Sequence, residues 1–209
     1  MDANRGFGPD SCQSSSRPAL KKPCENAYKD YHENIKKFSN ELKINATKRG
    51  NYLQGLLIDV HGHVHKEGYI ELGNGIGKAT LNLPIIPSST RSSISGILDL
   101  NKSSKTINEL IRGDSSIGGV IKKKNFKTTG NSWKIYPAPN ESTMPPGYFV
   151  GGYTIRSYGS TNKNSNLNAI QIEFPSALRL PENHETVAKN MAEAIYEFYN
   201  KNNLGARKF

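Results

Sequence analysis

The densest run of chemistry-bearing side chains is Asp59-Val60-His61-Gly62-His63-Val64-His65, which holds three imidazoles and a carboxylate. Neutral imidazoles with a carboxylate suit zinc, and an Asp behind a ligating histidine can fix its tautomer. Alternate residues of an extended segment face the same way, so Asp59, His61, His63 and His65 can share one side. The competing reading makes one or two of these histidines ordinary polar residues of a loop after a strand. A second constellation, Gly151-Gly152-Tyr153-Thr154-Ile155-Arg156-Ser157-Tyr158-Gly159-Ser160, precedes Glu173, which stands between Ile172 and Phe174. A carboxylate in apolar surroundings is costly to bury unless it is paired or protonated. Beside a metal-activated water, such a group is tuned for general acid/base work. The structural alternative for Glu173 is an ion pair with Arg156 or Arg179. A third candidate is Asp2-Ala3-Asn4-Arg5, where a guanidinium fork and a neighbouring amide could grip a carboxylate. Its competing reading is a frayed terminus.

The elements that must position these residues follow from periodicity. Tyr28, Tyr31, Ile35, Phe38 and Leu42 recur at spacings of three and four, which predicts an amphipathic helix over 25–48. Residues 6–24, rich in Ser, Pro and Gly, read as a surface loop. Residues 53–60 form a nearly continuous apolar run, which predicts a strand buried on both faces in a parallel or mixed sheet. The histidine cluster then lies at the C-terminal end of that strand, where ligands collect in open α/β sheets. Shorter strands are expected over 69–72, 134–136 and 171–174, the last stopped by Pro175. Short helices are expected over 108–111 and 116–124, and a longer one over 182–200, with a turn over 73–77 and a loop over 137–146. The fold expected is α/β: a three-layer sandwich in which helices cover both faces of a mixed, mainly parallel sheet. No internal repeat or linker divides the chain, so 1–209 reads as one domain.

Composition bounds the function. The chain has 209 residues, 35% hydrophobic and 22% charged, enough for one domain with a real core and too apolar for wholesale disorder. No run approaches the ~18 apolar residues of a spanning helix. The N-terminus has no apolar h-region, so a cytoplasmic location is expected. Cys12 and Cys24 are too few for a disulfide framework or a four-thiolate zinc site; two free thiols are expected in a chain without an export signal, with one bridge between them as the alternative. The net charge of +10 is spread over scattered groups such as Lys36-Lys37 and Lys122-Lys123-Lys124, without an aromatic-interleaved nucleic-acid signature. A solvated basic surface is the expectation, with neither a nucleic-acid nor a membrane partner.

Taken in order, the motifs resemble the N-formylglutamate amidohydrolase family, particularly its animal branch. The resembling stretches are Asp2-Ala3-Asn4-Arg5, Leu57-Ile58-Asp59-Val60-His61-Gly62, Ile70-Glu71-Leu72-Gly73 and Glu109-Leu110-Ile111-Arg112-Gly113. They continue through Ser116-Ile117-Gly118-Gly119, Gly151-Gly152-Tyr153-Thr154 and Ile170-Gln171-Ile172-Glu173. The resemblance implies a fold similar to zinc carboxypeptidases, of the phosphorylase/hydrolase-like kind, with one catalytic zinc. It implies hydrolysis of the amide bond of a small, acidic N-acyl amino acid. His61 matches the late histidine ligand, with His63 and His65 as further donors and Asp59 behind them. Glu173 matches the carboxylate that activates water. Asn4 and Arg5 match the pair that holds the substrate carboxylate, with Arg156 and Tyr158 also expected at the substrate. Family members carry an upstream His-Gly-Gly-like or His-Asp-Gly-like turn with further ligands, and this chain begins after it. The resemblance therefore also implies a truncated member, a weak enzyme or a non-catalytic relic that binds metal or an acidic ligand.

Overall fold

The computed structural model describes residues 18–48, 55–101, 104–124, 133–141, 143–202 and 204. Helix α1 (Pro18–Lys48) leads into strand β1 (Gly55–His63), then β2 (Ile70–Gly73). Four short helices follow: α2 (Lys78–Leu81), α3 (Gly96–Asn101), α4 (Ile107–Arg112) and α5 (Ile117–Lys124). The chain continues through β3 (Ile135–Tyr136), α6 (Tyr153–Tyr158), β4 (Leu167–Pro175), two 3-10 turns (Ser176–Arg179 and Pro181–Asn183) and α7 (His184–Lys201).

The sheet runs in the order β1-β4-β2-β3. β1 pairs parallel with β4, β4 antiparallel with β2, and β2 parallel with β3, so the sheet is mixed. The period of two gives β4 two characters. Ile170, Ile172 and Phe174 face one way with Ile70 and Leu72 of β2, and meet Val120, Ile121, Met191, Ala194 and Phe198 in the core. Gln171 and Glu173 face the other way, together with Asp59 and His61 of β1 and Glu71 of β2. Helices α1 and α6 lie on this polar side, where the Tyr31 hydroxyl reaches Asp59 and Thr154. The result is a mixed-sheet α/β domain with helices flanking the sheet.

Several expectations are corrected. Residues 18–24, expected in the loop, begin α1, with Pro18 at its first position, where a missing N–H costs nothing. β1 is an edge strand among the described residues, and Val60 is 67% exposed. The strand covered on both faces is β4, because tertiary position and not apolar run length decides coverage. β4 begins four residues earlier than expected, at Leu167, and ends at Pro175. Cys24 is disulfide-bonded, so its expected free thiol is absent; Cys12 lies outside the described residues. Helices α2, α3 and α6 were not expected from the sequence, being too short to show a helical period.

The loop entering α6 presses on the polar face. A Cβ at Gly73 would sit 2.7 Å from the Gly151 amide nitrogen, so only glycine fits there. Gly151 itself has φ +115°, a conformation that L side chains rarely adopt. This close approach lets the Gly152 N–H donate to Gln171 Oε1 at 2.8 Å.

Candidate metal centre

Register builds the site. His61 of β1 lies opposite Glu173 of β4, and Glu173 lies opposite Glu71 of β2. Directly opposed residues point to the same face, so the three form one row across the sheet, with Glu173 between the other two. One step toward the N-terminus of β1, Asp59 lies opposite Gln171. After β1 the chain turns back through Tyr69 and brings His65 to within 3.7 Å (Nδ1 to Oε1) of Glu71.

Hydrogen bonds separate the three histidines. His61 Nε2 is 3.2 Å from Asp59 Oδ1, while its Nδ1 faces Glu173 Oε1 at 3.8 Å. With Asp59 holding the Nε2 proton, Nδ1 keeps its lone pair, as in a ligating histidine backed by a carboxylate. The hydrogen bond with Asp59 raises the His61 pKa. His63 is engaged at both nitrogens: Nε2 meets the Tyr69 carbonyl at 2.6 Å, and Nδ1 accepts the His65 backbone N–H at 3.1 Å. Burial lowers its pKa and favours a neutral ring. His65 Nδ1 lies 2.9 Å from the Tyr69 hydroxyl.

The carboxylates carry the unmet demand. Glu71 is fully buried, and burial, with Glu173 beside it, pushes its pKa up to about 7. Neither of its oxygens makes a full hydrogen bond, and the Phe149 backbone amide is the group that favours its charged form. Glu173 is 1% exposed and raised chiefly by burial. Its Oε1 accepts from Gln171 Nε2 at 2.6 Å, whereas Oε2 has no partner. Unsatisfied buried carboxylate oxygens beside imidazoles call for protons or a cation. His63, His65 and Glu71 offer ligand atoms all within 4.8 Å of one another, a cluster that could chelate a metal ion. Two histidines and a Glu are also a donor set used in catalytic zinc sites.

The sequence anticipated part of this. Asp59, His61 and Glu173 come together, and His63 and His65 join them at the strand end. Glu173 pairs with His61 and not with Arg156 or Arg179 among the described ion pairs. Arg179 instead donates to the His63 carbonyl at 3.0 Å and packs over Gly62. Arg156 is exposed, its Nη1 reaching the Gly151 carbonyl at 3.5 Å, and the Tyr158 hydroxyl is taken by His32 Nδ1. Asn4 and Arg5 lie outside the described residues. Glu71 was missed as a donor, although its setting in Ile70-Glu71-Leu72 repeats that of Glu173 in Ile172-Glu173-Phe174. Tyr31 and Gln171, which hold Asp59 and Glu173, were also missed.

No family model, no curated protein and no solved structure matches the chain. What stands is a mixed-sheet α/β fold with a His63–His65–Glu71 cluster that could hold a metal ion. No described helix is long and apolar enough to cross a membrane.

Proposed function

We propose that this protein is a zinc-dependent hydrolase of the amide bond of small N-acyl amino acids, of the N-formylglutamate type. The observation that carries the reading is the cross-strand row of His61, Glu173 and Glu71. It places a buried carboxylate of raised pKa, with one oxygen unpartnered, directly between metal-type donors. The motif resemblance supports the same roles and suggests the acidic substrate. In this reading 1–209 is one amidohydrolase-like domain.

Zinc would be held by His65 and Glu71 of the compact cluster, with the Nδ1 of His61 completing the set from the other side of Glu173 and His63 orienting the turn through its two occupied nitrogens. Such an ion would polarise the scissile carbonyl and acidify the attacking water. Glu173 takes the proton from that water and delivers it to the departing amine nitrogen. A pKa above the ordinary carboxylate range suits both transfers. Asp59 holds the His61 ring, and Tyr31 holds Asp59 by a hydrogen bond of 3.4 Å. Gln171 fixes Glu173 and is itself fixed by the Gly152 N–H. Asn4 and Arg5 would take the substrate carboxylate, with Arg156 as a second, exposed cation.

A second reading, a metal-binding protein without catalysis, is favoured by the compactness of the His63–His65–Glu71 cluster, which omits His61. One experiment separates the two. The 209-residue protein is dialysed, its zinc is counted, and N-formylglutamate and other N-acyl amino acids are assayed with and without chelator. One zinc per chain with chelator-sensitive hydrolysis establishes the hydrolase. One zinc per chain without turnover of any such substrate establishes the non-catalytic reading.

A further inference from the structure

β1 has β4 on one side and, among the described residues, no strand on the other. Edge strands of natural sheets are ordinarily blunted by lysines, prolines, bulges or short length. β1 has none of these: its nine residues, Gly-Leu-Leu-Ile-Asp-Val-His-Gly-His, contain neither Lys, Arg nor Pro. Largely apolar grooves flank β1 on the two sides of the sheet, beside its first residues on the α1 side and along the α7 side, where Arg179 and His184 also line the groove. A groove of about 430 Å³ runs from Ile35, Phe38 and Leu42 of α1, past Gly55 and Leu56, to Ile195 and Tyr199 of α7. A second, of about 530 Å³, lies between Ile58 and Val60 of β1 and Val187 and Met191 of α7. Large apolar side chains stand in solvent here: Val60 at 67%, Phe38 at 61% and Val64 at 81% exposed. Tyr31 and Phe38 lie seven residues apart on one face of α1, and both rings are partly exposed although the Tyr31 hydroxyl is bonded to Asp59.

We propose that β1 pairs antiparallel with β1 of a second copy of this chain, about a two-fold axis through Val60. The sequence of the strand argues for that occupant and that register. A two-fold axis perpendicular to the sheet leaves each face on its own side, so polar residues must oppose polar ones. With Val60 opposite itself, Asp59 faces the imidazole of His61 in the other copy, and His61 faces Asp59. Leu57 opposes His63 on that same face; on the other face Ile58 opposes Gly62, over which Arg179 packs, and Leu56 opposes Val64 just beyond the strand. Shifting the axis to Asp59 sets two carboxylates against each other, and shifting it to His61 opposes two imidazoles; both are unfavourable. Such a contact is isologous, so it closes at a dimer. It joins two four-stranded sheets into one and brings both α1 helices to the same side.

The inference shares Asp59 and His61 with the hydrolase reading but requires neither zinc nor turnover, and it is tested on the whole chain by sedimentation equilibrium. The expected species has twice the chain mass of 23.1 kDa at low micromolar concentration. Val60→Lys places two ammonium groups at the axis and should raise the dissociation constant by at least ~100-fold. Phe38→Glu, away from the strand, should raise it by about 10-fold. Amide hydrogen exchange of the unsubstituted protein gives a second measurement that needs no variant: β1 amides should become more protected as concentration rises. A protein that remains monomeric at about 100 μM, or a dimer that Val60→Lys leaves intact, overturns the proposal. So does β1 exchange that is independent of concentration.

Discussion

His61 and His63 stand two residues apart on one strand, yet their hydrogen bonds assign them opposite parts. Asp59 occupies one nitrogen of His61 and leaves the other free beside Glu173, whereas both nitrogens of His63 are taken. His61→Ala and Glu71→Gln should therefore each remove the tightly held zinc, with an affinity loss of at least ~100-fold. His63→Ala should cost less than either. Zinc counted after dialysis decides this, and a loss confined to His63→Ala and His65→Ala would exclude His61 from the ligands. Glu173→Gln keeps size and the bond with Gln171 but removes the base. Hydrolysis should fall by at least ~100-fold with zinc content unchanged. Persisting activity would make Glu173 a structural residue.

At the scale of elements, the site depends on how closely the loop entering α6 approaches β2. Gly73→Ala would drive a methyl to within 2.7 Å of the Gly151 nitrogen and 2.8 Å of its Cα, and both are backbone atoms that cannot swing aside. The loop must withdraw, and with it the Gly152 N–H that holds Gln171. A destabilisation of about 2–4 kcal/mol is expected, of the size of overpacking in a close contact. Urea denaturation measures it, and an unchanged midpoint would show that the loop is free to move. A second consequence belongs here. Glu173 should lose its fixed orientation, so activity should fall by more than the population of unfolded protein accounts for.

For the whole molecule, Glu71 links stability to pH and to metal. Its pKa is raised from the ordinary 4.5 to about 7, chiefly by burial. An acid with a raised folded pKa binds its proton more tightly when folded, so its contribution is fully present below about 4.5. That contribution is lost as pH rises through the folded value of about 7. The metal-free protein should thus lose stability between pH 5 and pH 8, by up to about 3 kcal/mol from this group. Glu71→Gln should abolish that part of the slope, and thermal melts of chelator-treated protein at the two pH values test it. Adding zinc should restore the unsubstituted protein at pH 8 and leave Glu71→Gln unaffected. A slope identical in the two proteins would remove Glu71 from the account.

The sequence by itself determined the period-two strands, the long helices at either end and the chemical types of the site. Asp59, His61 and Glu173 could be singled out because an acidic or imidazole group in an apolar strand requires a partner. The disposition of those partners was not legible. Glu71 becomes a neighbour of Glu173 only through the antiparallel pairing of β2 with β4, across about a hundred residues of chain that carry no local signal of it. The apolar run of β1 resembles that of a strand covered on both faces, yet its place at the sheet edge is set by which strand β4 joins next. Helices α2, α3 and α6 span four to six residues, less than two turns, and are held by packing and not by propensity. Local physics chooses residue types and periods, while the pairing of strands distant in sequence decides which side chains share a site.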